Sequence, residues 1–114
     1  MTNEEFESLK AELDAEVLSK LQNKAIEYVS IAQEGEEVDR LSNFRIAAEL
    51  RQTNMVDAVA GMMIKHTVSI YDLIDKFCFY EQNFPRATWL EKITDHIAYL
   101  YLLFAALQEE DALQ

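Results

Sequence analysis

Helix breakers are scarce in this sequence. Two glycines and one proline among 114 residues leave no room for the repeated turns of a many-stranded β fold and favour long helices instead. Gly35 and Gly61 stand alone, which removes both the P-loop and the dinucleotide-binding fingerprint, each of which needs glycines at fixed spacing. A single cysteine, Cys78, permits no internal disulfide and fits a reducing compartment. Lying between Phe77 and Phe79, it is expected to be a buried, inert thiol rather than a nucleophile, which would need a base and a thiolate-stabilising site. The two histidines, His66 and His96, come without a CxxC or HExxH pattern and give zinc little support. Positive charge is short as well: the formal net charge is −11, which disfavours duplex nucleic acid and anionic membranes as partners. A small anionic ligand remains compatible, because local fields decide binding at a pocket. No apolar run reaches the roughly 18 residues of a membrane span. The start, MTNEEFESLK, is acidic and carries no apolar signal region, so a cytoplasmic protein is expected.

What is there is helical periodicity. Half of the residues are hydrophobic, enough for a buried core in one domain spanning residues 1–114. Thr2 and Glu5 form a capping box, so a first helix should run from near Asn3 to about Ala32. Its apolar stripe is Phe6, Leu9, Leu13, Val17, Leu21, Ala25 and Tyr28. Gln33 to Leu41, with Gly35 and clustered acids including Glu36 and Asp39, reads as a loop. Ser42 or Asn43 should cap a short helix from Phe44 to Arg51. Thr53 or Asn54 should cap a third from about Met55 to Phe79. Thr88 and Glu91 suggest another capping box, opening the fourth helix, and Glu109 to Gln114 should fray. From Ile97 onward the fourth helix is apolar nearly all round, which requires burial on more than one side, in a bundle or at a subunit interface. The expected fold is therefore all-α: a four-helix bundle-like single domain with a long first helix, a short second and two long ones. Its apolar excess predicts a homo-oligomer, a dimer by default.

Two polar rows border the apolar faces of the long helices. Lys65, Ser69, Asp72 and Lys76 are spaced four, three and four apart, with His66 interrupting the apolar face beside them. Lys92, Asp95, His96 and Tyr99 form the other row. Spacings of three and four put residues on one side of a helix. If the rows line one cleft, Lys65, His66, Ser69 and Asp72 would face Lys92, Asp95, His96 and Tyr99, with Arg40, Asn43 and Arg45 flanking a covering loop. Cations neutralise phosphate, Asn and Asp read sugar or base edges, and an aromatic ring stacks on a base. These residue types together suggest a nucleotide. The bland reading pairs Asp95 with Lys92 or a backbone group and Asp72 with Lys76, and leaves the histidines hydrogen-bonded in the core.

Three stretches, DRLSNF at 39–44, GMMIKHTVSIYD at 61–72 and WLEKITDHIAYL at 89–100, resemble a group of small, uncharacterised bacteriophage and prophage proteins. The resemblance covers about residues 24–110 and implies a protein acting in the cytoplasm of a bacterial host. More distantly, the last stretch is similar to the final motif helix of the all-α MazG-like nucleoside triphosphate pyrophosphohydrolases. In that superfamily EExxE on one helix and ExxD on another hold Mg²⁺. This chain has no EExxE. Asp95 matches the final Asp, but Lys92 stands three residues before it and Glu91 four before. Lys and His in place of carboxylates weaken Mg²⁺ binding and favour direct contact with phosphate. The resemblance therefore implies a nucleotide-binding protein that sequesters its ligand without hydrolysis or cofactor, such as a nucleotide signal of host defence. The alternative is a Mg²⁺-dependent pyrophosphohydrolase using Asp72, Glu91 and Asp95. A third reading is an acidic helical protein–protein interaction module with no small ligand.

Overall fold

A computed structural model of the full chain describes residues 1–31 and 39–113, with side chains to residue 23 in the first stretch. Four helices account for most of them: α1 (Asn3–Ile31), α2 (Ser42–Leu50), α3 (Met55–Phe79) and α4 (Arg86–Glu109). The fold is all-α and bundle-like, with the long–short–long–long order expected. The chain divides into two compact units, Met1–Arg40 and Leu41–Gln114.

The first unit is α1 with the residues after it. Thr2 Oγ1 accepts the Glu5 N–H at 3.1 Å, and the Thr2 carbonyl accepts from Phe6 at 3.0 Å, so the Thr2 half of the anticipated box forms. Arg40 Nη2 donates to the Leu21 carbonyl at 2.8 Å. Most of the expected loop at Gln33 to Leu41, and Ala25 and Tyr28 of the apolar stripe, lie outside the residues or side chains described.

In the second unit, α3 and α4 form an antiparallel hairpin. Three contacts along its length show the direction. Met55 N–H donates to Glu110 Oε1 at 3.1 Å, Thr67 meets His96, and Phe77 meets Trp89 edge to face at 6.3 Å. α2 packs against the end of the hairpin that carries Met55. There Leu41, Phe44, Ala48, Met55, Ala58, Val59, Leu102 and Ala106 make the buried core. The alanines among them, one per helix, leave room for close helix approach.

α3 starts where expected: Asn54 Oδ1 accepts the Asp57 N–H at 2.9 Å, and Thr53 Oγ1 donates to Asp57 Oδ2 at 3.0 Å. α2 and α4 start about two residues early, and neither uses the side-chain cap anticipated for it. Leu41 takes the cap position of α2 because its side chain belongs to the core, which draws Ser42 and Asn43 into the first turn. Pro85 takes the cap position of α4 at φ −56° and ψ 147°. Its carbonyl already accepts the Thr88 N–H at 3.0 Å, so Thr88 lies inside the helix and the Thr88–Glu91 box does not form.

All three helices of this unit end through a residue with positive φ that is not glycine: Gln52 at 55°, Glu81 at 51° and Asp111 at 58°. After α2, the Thr53 N–H returns to the Ala48 carbonyl at 2.9 Å and Gln52 to Glu49 at 3.2 Å, a Schellman motif. α4 ends in the same way through Ala112 and Asp111.

One expectation about burial is corrected. Cys78 is exposed, as are Phe77 and Phe79 beside it, because the hairpin core ends short of that tip. The burial expected of α4 on more than one side, in a bundle or at a subunit interface, is met in part by the chain's own helices. Ala98, Leu102 and Ala106 are buried, whereas Leu100, Tyr101 and Phe104 face outward, Phe104 with 63% of its surface accessible.

Candidate functional site

The two polar rows flank the seam between α3 and α4, and two contacts fix their geometry. The rings of His66 and Tyr99 lie 4.7 Å apart between centroids, tilted by 33°. Thr67 Oγ1 and His96 Nε2 are 2.9 Å apart. The Thr67 hydroxyl also lies 3.4 Å from the Met63 carbonyl. It serves both neighbours when its proton goes to that carbonyl and the imidazole donates from Nε2.

Successive residues of an α-helix are turned by about 100°. Thr67 is therefore turned toward one edge of the α3 surface that meets α4, and His66 sits farther across it. Past His66, the same rotation carries the surface to Ser69 and then to Lys76, Lys65 and Asp72. On α4, Tyr99 is turned about 60° from His96, and Lys92 and Asp95 fall on the Tyr99 side. Because the helices are antiparallel, these two directions coincide. Lys65, His66, Ser69, Asp72, Lys92, Asp95 and Tyr99 thus share one side of the hairpin. His96 lies on the other, with Thr67.

Within the shared side, His66, Ser69, Lys92, Asp95 and Tyr99 are half-buried, whereas Lys65 and Asp72 are exposed. Lys76 Nζ donates to Asp72 Oδ2 at 2.8 Å, an exposed i, i+4 pair worth about 0.3–0.5 kcal/mol. Phe44 of α2 meets Tyr99 edge to face at 6.3 Å and 77°. The N-terminal turn of α2 therefore closes over the Tyr99 end of this side. Asn43 is exposed in that turn. Arg45 is drawn toward the end of α4, with Nη2 3.8 Å from Glu109 Oε2. Arg40 belongs to the first unit.

Sequence reasoning missed Thr67 and Phe44. Thr67 follows His66 directly, but only the register of the helix pair reveals its partner. It also missed a groove of about 200 Å³ between α2 and α3, lined by Ala47, Arg51, Asp57, Ala58, Gly61 and Met62. None of the anticipated site residues lines that groove. An added Cβ at Gly61 would meet nothing within 4 Å, so among the described residues this glycine does not admit a neighbouring backbone.

Among the described residues no three of His, Cys, Asp and Glu converge as a metal site would require. Asp72, Glu91 and Asp95 do not gather, and Asp72 is engaged by Lys76. No described helix is long and apolar enough to cross a membrane. No family model, curated protein or solved structure matches the chain.

Proposed function

We propose that this protein binds a small anionic ligand of nucleotide type along the His66–Tyr99 side of the α3–α4 hairpin and holds it without hydrolysis. One observation carries the reading: the rings of His66 and Tyr99 meet across the seam at 4.7 Å, tilted by 33°, and helix rotation puts five further anticipated residues on their side of it. Lys65 and Lys92 supply charge for phosphate, Ser69 a hydroxyl, and Asp72 and Asp95 acceptors for sugar or base edges. Tyr99 offers a ring on which a base can stack. The N-terminal turn of α2, brought to Tyr99 through Phe44, adds the positive end of a helix dipole. The resemblance to phage proteins directs the choice toward signalling nucleotides of the bacterial host.

The test is to hold the purified protein with a nucleotide mixture that includes cyclic and ADP-ribose-type compounds, with Mg²⁺ present. The supernatant is then analysed by mass spectrometry before and after heat denaturation. A compound that disappears and returns intact on heating is the expected result, with affinity lowered about 10- to 100-fold in Lys92→Ala, the scale of one hydrogen bond to a charged group. Metal-dependent cleavage products abolished in Asp95→Asn would replace sequestration by hydrolysis. A mixture unchanged throughout would remove the ligand reading.

A further inference from the structure

The opposite side of the hairpin has a different character. On α3, Ala60, Ile64, Thr67, Tyr71, Ile74 and Cys78 follow one another at steps of four and three. On α4, Trp89, Ile93, His96, Leu100, Leu103 and Leu107 do the same. An alternation of four and three is the 3.5-residue repeat of a seam between packed helices. Both stripes run along the Thr67–His96 edge by the rotation argument above. Neither contains an Asp, Glu, Lys or Arg, in a chain of which 27% is charged.

Half of the members of these stripes are exposed. Ile64 is 62% exposed, Tyr71 68% and Leu100 44%, and the remaining members are exposed or half-buried. Each stripe is about 27 Å long at 1.5 Å per residue. Two antiparallel stripes of equal length, side by side, make half of a four-helix bundle.

We infer that this face is closed by a second copy of the chain, the two α3–α4 hairpins packing through their charge-free stripes into a four-helix bundle with two-fold symmetry. A second copy has what the face requires: two antiparallel helices with the same repeat and length. An isologous interface of this kind needs a self-complementary patch, and an uncharged one satisfies that condition although each chain carries −11. The footprint, about 27 Å by two helix widths of about 10 Å each, is of the order of the roughly 800 Å² per partner buried in a stable complex. Thr67 and His96 fall near the middle of their stripes. Their hydrogen bond is made within each chain, so the pair enters the seam already satisfied and adds no unpaired polar group to it. The inference does not depend on the ligand reading, which concerns the other side of the hairpin.

The test is sedimentation velocity on the full chain, wild type and three variants. Ile64→Lys and Leu100→Lys place a charge on each stripe at side chains that are exposed in the single chain, so helicity by circular dichroism should be unchanged. Gln82→Lys adds the same charge at an exposed position off the stripes. The expected result is a wild-type and Gln82→Lys species of twice the chain mass, with the two stripe variants weakened about 30-fold or more, the scale of a central interface residue. A wild-type protein that sediments as a monomer up to its solubility limit would overturn the inference. So would a dimer that survives both stripe variants.

Discussion

Gly61→Ala should stabilise the protein, and the structure sets the size of the gain. Gly61 lies in the body of α3, which runs from Met55 to Phe79. Glycine there costs about 1 kcal/mol relative to alanine, because its backbone loses more freedom on folding. A gain of that size is realised only if the new methyl group strains nothing, and a Cβ at Gly61 meets no atom within 4 Å. Gly61 lines the groove with Arg51 and Asp57, and with no atom in reach of the methyl the effect is the propensity term. With an unfolding entropy of about 2.1 cal/mol/K per residue, 1 kcal/mol over 114 residues corresponds to about 4 °C in Tm. Thermal and urea melts followed by helical circular dichroism would measure it, with an unchanged urea slope showing that the compactness of the two states is unaltered. A neutral or destabilising result would refute the reasoning. It would mean that something closes on this backbone in solution, a role for the α2–α3 groove that the single chain does not reveal.

Three further substitutions probe the same logic elsewhere. Gln52→Gly should raise stability by about 1 kcal/mol, because a left-handed conformation costs an L-residue that much and glycine little; a urea melt reads it. Asn54→Ala should lose about 1 kcal/mol through the Asp57 N–H it caps, and the Asp57 amide should exchange faster with solvent. His96→Leu should tighten the association of two copies, because it replaces a polar ring in the seam by an apolar side chain, seen as a lower dissociation constant in sedimentation. Thr67 keeps the Met63 carbonyl as a partner in that variant, so no stranded hydroxyl offsets the gain.

The parts of this fold that were legible in the sequence are those decided by residues near one another in the chain. α3 has the bounds its apolar spacing and the Asn54 cap imply, and the Thr2 cap forms because nothing competes for it. α2 and α4 begin elsewhere because their starts are decided by contacts made at a distance or by backbone geometry. Leu41 is held in the core with Phe44 and Leu102, and Pro85 ends an extended connection with the torsions of a cap. The helix ends were equally hidden, since Gln52, Glu81 and Asp111 carry no glycine to mark a left-handed turn. Cys78 misled for a related reason: two flanking phenylalanines say that a segment is apolar, not that the core reaches it. The polar rows could be read from their spacing. Which side of the hairpin each member occupies could not, because that depends on His66 meeting Tyr99 while Thr67 meets His96, a register set by the whole helix pair.

The division of the hairpin into a side with the polar rows and a side with the two uncharged stripes leads to a final prediction. A helix apolar nearly all round, as α4 is after Ile97, has more apolar surface than one neighbour covers. Leu102 and Ala106 meet the core formed with α2 and α3, and Leu100 and Phe104 are left outward. If that surplus serves association and the opposite side serves a ligand, the two activities should be separable. Ile64→Lys touches only the stripe side, because Ile64 and Lys65 are turned by about 100° from one another and Ile64 lies beyond Thr67. It should convert the dimer to a monomer and leave ligand affinity within about twofold, since sites without shared partners act almost additively. Lys92→Ala should do the reverse, weakening the ligand and leaving the mass unchanged. Calorimetric titration of both variants beside sedimentation would measure the separation. Loss of ligand binding on dissociation, with helicity intact, would instead mean that the two copies complete one site between them. The assignment of the two sides to separate tasks would then fail.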